Sequence, residues 1–200
     1  MAKKIILALL ILILIIFCGI LFLGNDSVDI YIDGENITVE THTFSSIDAQ
    51  GLNEAICDYT LNVMNDTDSD VATYKNGVGD LCKRYGLEDA EINLDSSIGH
   101  DQIPVLIHVD GTSMLPTLQD GQTALVNKTH NVHVGDIVVA ESDEYGGIIK
   151  RIDEINENGI HLVSDNKAIS YEYINGELYE IKGISTWVDV SDINGVVIQY

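Results

Sequence analysis

The sequence predicts a mainly β protein: an antiparallel barrel or folded sheet over residues 103–200, preceded by one N-terminal transmembrane helix and a small α+β module. Three observations carry this reading. An apolar run fills residues 5–23. Two stretches between residues 46 and 85 place apolar side chains at helical spacing. From Ile103 onward, short apolar runs alternate with Gly, Asn and Asp turns, with neither a βαβ rhythm nor an internal repeat.

Residues 1–24 read as a cytoplasmic tip and a membrane anchor. The run from Ile5 to Leu23 is interrupted only by Cys18 and Gly19, which a bilayer tolerates. As a helix it would reach about 28 Å, close to the hydrocarbon thickness. Lys3 and Lys4 precede it, while Asp26 and Asp29 follow. The positive-inside bias therefore puts the N-terminus in the cytoplasm and the rest of the chain outside, on a single-pass protein of the cell membrane. A cleavable signal peptide has a shorter core and a small-x-small site, and Phe22-Leu23-Gly24 is a poor one. Phe17 is too bulky for the residue before a lipid-modified Cys18.

Residues 25–102 read as an extracytoplasmic module. Residues 28–44 alternate apolar and polar around Asp33-Gly34, which is a hairpin signal. Ile47, Leu52, Ala55, Ile56, Tyr59 and Val63 mark one helix over 46–64. Val71, Tyr74, Val78, Leu81 and Tyr85 mark a second, ending near Gly86. Cys57 and Cys82 are the only cysteines outside the anchor. On the oxidising side of a membrane they can pair, a disulfide adding about 3–4 kcal/mol, or stand as unrelated thiols; both readings remain open. Asn25, Asn36, Asn65 and Asn127 begin glycosylation acceptor triplets, a common coincidence in an Asn-rich chain.

Residues 103–200 hold apolar runs at 103–109, 123–126, 136–140, 147–152, 160–163, 178–182 and 194–199, each a predicted strand. The only two prolines, Pro104 and Pro116, interrupt no central strand. The net charge of −22, from 32 acidic and 10 basic residues, repels phosphate backbones and so excludes nucleic acid as a partner.

The chemistry lies in this last region. Ser113 follows a predicted strand through Asp110-Gly111-Thr112, a sequence that favours a tight bend and presents the hydroxyl at a strand end. A serine hydroxyl is a poor nucleophile until a positioned base takes its proton. Lys150 lies in a predicted strand, where Ile148, Lys150 and Ile152 share one face while Ile149 and Arg151 share the other. A lysine lined up with two isoleucines loses hydration, which lowers its pKa, and the adjacent Arg151 adds repulsion in the same direction. A fall of about 2–3 units from 10.4 leaves a useful neutral fraction near pH 8. Taken singly, a turn serine and a strand lysine reaching for solvent are ordinary. The pair is not.

Other chemistries have less support. Gly111-Thr-Ser-Met-Leu lacks the second glycine of a nucleophile elbow. His130 and His133 have no carboxylate or cysteine spacing to complete a metal site, and no glycine loop suits a phosphate. Neither a metal nor another cofactor is expected.

Ser113-Met-Leu-Pro-Thr-Leu, then Gly135-Asp-Ile-Val-Val-Ala, then Ile149-Lys-Arg-Ile resembles the type I signal peptidases in order and approximate spacing. The same set is similar to the wider Ser–Lys group that includes LexA-like self-cleaving repressors. The resemblance covers roughly residues 103–185. It implies a β-barrel catalytic core, Ser113 as acyl-forming nucleophile and Lys150 as general base. Met114 and Pro116 match shaping positions beside the nucleophile, and Asp136 matches a structural acidic position. A membrane-anchored serine endopeptidase that cuts signal peptides from exported pre-proteins is the implied function. The implied partners are the lipid bilayer and those pre-proteins.

The chain departs from the pattern at two places. Many bacterial signal peptidases carry a hydroxyl residue two positions before the serine as an oxyanion donor. Here that position is Gly111, as in the LexA-like branch, so Gly111 and Thr112 are candidates for shaping the oxyanion hole beside the Ser113 N–H. Ser164-Asp165-Asn166 matches only part of the Gly-Asp-Asn motif, and its Ser-x-Asp-Ser-Arg continuation is absent. Arg151, Ser164, Asp165 and Ser170 therefore stand as structural or lysine-orienting candidates. Two alternatives accompany the main reading. One is a membrane-tethered LexA-like protease that processes itself or one client, favoured by Gly111 but without a helix-turn-helix before the core or an Ala-Gly bond to cut. The other is a non-catalytic extracellular binding module in which Ser113 and Lys150 are relics.

Overall fold

The alternation around Asp33-Gly34 closes into an antiparallel hairpin of β1 (Ser27–Ile32) and β2 (Ile37–His42). Asp33 Oδ1 accepts from the N–H groups of Glu35 and Asn36, which fastens the turn. The computed structural model describes residues 26–66, 69–174 and 176–200, with the backbone alone described at 170, 172, 174 and 179–181. The anchor expected at 5–23 lies outside the described residues. Among the described residues, no helix is long and apolar enough to cross a membrane.

Both helices expected from periodicity form. α1 (Ala49–Asn65) starts where Asp48 accepts from the Gly51 N–H, and α2 (Val71–Arg84) where Asp70 accepts from the Thr73 N–H at 2.7 Å. Lys83 and Arg84 sit in the last turn of α2, where positive charge suits the helix dipole. After α2 the chain returns as β3 (Glu91–Ser96), parallel to β1, giving the sheet order β2-β1-β3. Val28, Ile30 and Ile32 of β1 and Leu94 of β3 pack with Leu52, Ile56, Tyr74 and Val78 of the helices in one buried core.

Cys57 on α1 and Cys82 on α2 are free thiols, so the disulfide allowed by the sequence is not formed in this structure. Each serves as a small apolar filler of that core. Burial pushes both thiols above their ordinary range, and Asp58 and Glu54 push Cys57 further.

The remaining chain builds β4 (Pro104–His108), β5 (Thr123–Asn127), β6 (Ile137–Ser142), β7 (Gly146–Asn156), β8 (Gly159–Val163), β9 (Ser170–Ile174), β10 (Glu177–Ile181), β11 (Ser185–Val188) and β12 (Ile193–Gln199). Seven of them form one antiparallel sheet in the order β11-β8-β7-β6-β12-β5-β4, while β9 and β10 pair as a separate hairpin. The closed barrel is a point of correction: β4 and β11 are edges and do not pair with each other. The sheet's register shifts along β12 and between β7 and β8. Gly195 sits at one shift, where an added Cβ would run into the Asn127 carbonyl oxygen.

Two apolar clusters fill this sheet. Val138, Ala140, Ile148, Ile152, Ile160 and Leu162 are prominent in one. The other joins Val109, Met114, Leu118, Ala124 and Ile137, and it lies under the serine loop. The helical layer is fastened to the large sheet rather than hung from it. Ile103 is buried in the helical core, and the ammonium of Lys128 donates to Asp66 O and, at 2.9 Å, to Asn194 Oδ1. Asn127, one of the acceptor triplets, is half-buried in β5 with its side-chain oxygen enclosed, which does not suit a glycan.

Candidate active site

The serine loop leaves β4 and is pinned at both ends. Val109 N–H donates to Gln122 O and Gly121 N–H to Val109 O, at 2.9 and 2.8 Å. Gly111 turns the chain with a φ of +85°, a conformation that a side chain disfavours. Its N–H donates to Asp120 Oδ1 at 2.8 Å, so Gly111 shapes the loop and does not offer that donor to an oxyanion. From Thr112 the chain winds through turns in which Leu115 N–H donates to Thr112 O, and Thr117 and Leu118 N–H to Met114 O. Pro116 follows a cis peptide bond in this turn. Met114 and Leu118 plug the apolar cluster below, which leaves Ser113 half-buried and held from both sides. Among the described residues the Ser113 N–H has no hydrogen-bond acceptor.

Lys150 comes from a central strand. On β7, Ile148, Lys150 and Ile152 are all buried, the shared face expected from period two. Lys150 stands in register with Val138 of β6 and is only 3 % exposed. Its Nζ donates to Ser113 Oγ at 2.9 Å and to Ile149 O at 2.8 Å. Loss of hydration holds the amine below its ordinary pKa.

Arg151, next along β7, pairs with a carboxylate. Its guanidinium grips Asp165 in a fork, Nε to Oδ1 at 2.8 Å and Nη2 to Oδ2 at 2.6 Å, and Nη1 donates to Gly135 O at 2.7 Å. The arginine beside it pulls Asp165 well below the usual carboxylate range. Paired in this way, Arg151 is not a source of repulsion for Lys150, whose shift comes from burial alone.

Neither Ser164 nor Asp165 is a hydrogen-bond partner of Lys150. Ser164 is fully buried, and its hydroxyl accepts from the Ile184 N–H at 2.9 Å. The group that orients Lys150 is the backbone carbonyl of Ile149. The side chain of Ser170 lies outside the described residues. Asp136 Oδ2 accepts from the His133 N–H at 2.8 Å and closes the turn into β6.

Two residues escaped the sequence reading. Thr117 donates from its hydroxyl to Asp165 Oδ2 at 2.5 Å. Asn166 donates twice, from its side chain to Thr112 O and from its backbone to Ser113 O, both at 2.9 Å. Segment 164–166 thereby ties the serine loop to the lysine strand through Arg151–Asp165–Thr117 and through Asn166. Both residues stand inside stretches already singled out, Ser-Met-Leu-Pro-Thr-Leu and Ser-Asp-Asn, and that position was the available signal.

Clefts open on either side of Ser113. One, of about 370 Å³, has apolar walls from Ile107, Val109, Met114, Val139 and Ile149. The other, of about 480 Å³, runs along Thr112, Leu115, Asn166, Ala168 and Lys182. A chain crossing the serine would lie in both. The geometry suits an acyl transfer in which a neutral amine takes the hydroxyl proton while an apolar cleft holds the acyl side. Among the described residues, no group of three or more His, Cys, Asp or Glu side chains is placed to hold a metal.

A family model described as Peptidase S24-like matches residues 72–186, more than half of the chain. The match begins inside α2, includes β3 and ends inside β11, before β12. No curated protein and no solved structure matches.

Proposed function

Because the chain belongs to the Peptidase S24-like family, shared by LexA-like proteases and type I signal peptidases, we propose that it is a membrane-anchored endopeptidase that removes signal peptides from exported pre-proteins. The observation that carries this reading is the 2.9 Å contact between a buried lysine amine and a loop serine. In the catalytic cycle Lys150 is neutral and takes the Ser113 proton as Oγ attacks the scissile carbonyl. The oxyanion forms beside the Ser113 N–H. Lys150 then gives its proton to the leaving amine, and the acyl-serine is released by a water that the same amine activates. The apolar cleft receives the acyl side of the substrate, and the second cleft the leaving chain. Tethering at residues 5–23 raises the concentration of enzyme where a translocated pre-protein emerges.

The test is cleavage of a labelled pre-protein by the full chain in detergent. Ser113→Ala and Lys150→Ala each abolish cleavage and keep the fold. Cleavage by either folded variant contradicts the dyad. A pre-protein left intact by an enzyme that still cuts another peptide contradicts the signal-peptide assignment alone. Gly111 favours one other reading, a tethered LexA-like protease that cuts itself. The mass of the purified chain separates the two, since self-cleavage leaves a shortened product that Ser113→Ala prevents.

A further inference from the structure

Among residues that do not line these clefts, three neighbouring strands bring together a second hydroxyl, imidazole and carboxylate. His161 of β8 lies between Ser185 of β11 and Asp153 of β7. Its Nε2 is 2.8 Å from Ser185 Oγ, and its Nδ1 is 3.2 Å from Asp153 Oδ2. The order of contacts matters. A carboxylate can only accept, so it fixes the proton on Nδ1 and leaves the Nε2 lone pair facing the hydroxyl. That is the arrangement in which a histidine takes a serine proton.

Two features of the sheet create it. Trp187 stands in register with His161 across the β11–β8 pair, and Ser185, two residues earlier, is the diagonal neighbour on the same face. Between β7 and β8 the register shifts from Ile152 to Glu154, so Asp153 is the extra residue of a bulge, a device that re-aims a side chain. The imidazole is sheltered, its side chain 18 % exposed and stacked on the Trp187 ring with centroids 4.8 Å apart. Ser185 itself is exposed and reachable. Among the described residues, none of the three hydrogen-bonds to Ser113 or Lys150.

We propose that Ser185, His161 and Asp153 form a second nucleophilic centre, one that takes acyl groups from small activated aryl esters. The substrate class follows from the surroundings. The serine lies on an open sheet face, which suits small molecules, and Trp187 is 42 % exposed beside it as a platform for an aromatic ring. In the reaction, Ser185 Oγ bonds to the ester carbonyl carbon and its proton passes to His161 Nε2. The bond to the aryl oxygen breaks, and the phenoxide leaves with that electron pair and takes the proton. Water then hydrolyses the acyl-serine, so ester and water yield acid and phenol and the serine is restored.

The experiment uses the full chain in detergent, wild type and Ser113→Ala, treated with p-nitrophenyl acetate or with a fluorophosphonate, and locates the adduct by peptide mass spectrometry. The expected adduct is on Ser185 in both chains and absent from Ser185→Ala. Its formation slows about a hundredfold in His161→Gln, and to a lesser degree in Asp153→Asn. An adduct found only on Ser113 or on other residues, or an unchanged rate in folded His161→Gln, overturns the centre. The Ser113→Ala substitution changes none of the three residues, so the position of the adduct in that chain decides even where Ser185→Ala or His161→Gln impairs folding. It is also independent of pre-protein cleavage, which can fail or succeed separately.

Discussion

Lys128 and Lys150 are both buried, 1 % and 3 % exposed, yet they do opposite work. Lys128 lies where the helical layer meets the large sheet, and its ammonium donates to a backbone carbonyl from residue 66 and a side-chain carbonyl from residue 194. It fastens three distant parts of the chain. Lys150 lies on a strand between isoleucines, with one backbone carbonyl and the Ser113 hydroxyl for company. The difference teaches that burial alone does not make a base. What differs is the kind of oxygen each nitrogen meets: two carbonyls that can only accept at Lys128, and at Lys150 one carbonyl and a hydroxyl that carries a proton of its own.

Substitutions that exchange these two environments give the largest effects. Lys150→Met removes cleavage altogether and leaves stability equal or higher, because a poorly solvated amine gives way to an apolar chain of similar length. Lys128→Met does the reverse: cleavage per folded molecule persists, and stability falls by about 1–3 kcal/mol as buried oxygens lose their donor. Urea unfolding alongside peptide cleavage checks both. Equal behaviour of the two variants would break the comparison.

Next in size is Asp165→Asn. It leaves Arg151 without its carboxylate and loosens the tie between the serine loop and β7. The expected result is a fall in kcat of about tenfold or more with little change in KM, since small misplacements of reacting groups are costly. Steady-state kinetics on one substrate measures the split. A smaller effect belongs to Asn166→Ala, which loses the side-chain bond to Thr112 O but keeps the backbone bond to Ser113 O. A severalfold drop in kcat is expected, smaller than that of Asp165→Asn.

The pH dependence sharpens the contrast in a different way. The folded Lys150 amine lies below its ordinary value of 10.5. As pH falls beneath 10.5, the unfolded chain takes up a proton at this lysine before the folded chain does. Stability therefore declines from pH 10.5 down to the folded pKa, and this component of the slope is absent in Lys150→Met. Urea midpoints across alkaline pH for the two proteins give the difference directly.

Much of this architecture was readable before any coordinates, and for identifiable reasons. The apolar residues of α1 and α2 recur at helical spacing, so both helices are legible in the sequence. The lysine face was visible because Ile148 and Ile152 bracket Lys150 at period two. β3 was not, since Glu-Ile-Asn-Leu-Asp-Ser carries only two apolar residues and its pairing with β1 depends on a helical crossover. Sheet closure was misjudged because edge pairing is a long-range property that local alternation does not encode. At the site, Ser113 and Lys150 carried recognisable motifs, whereas Thr117 and Asn166 act through contacts 48 and 54 residues apart in sequence. The register shift that sets Asp153 beside His161 is likewise invisible in one dimension.

The central claim is that a sheltered, uncharged amine at Lys150 activates Ser113. Titrating that side-chain nitrogen by NMR in the Ser113→Ala protein, and comparing its midpoint with the pH–rate profile of wild type, tests it most directly. The account predicts a lysine midpoint below 10.5 and cleavage that rises with pH through the same range. A Lys150 that titrates at or above the ordinary lysine value, or cleavage that ignores its ionisation, would contradict it.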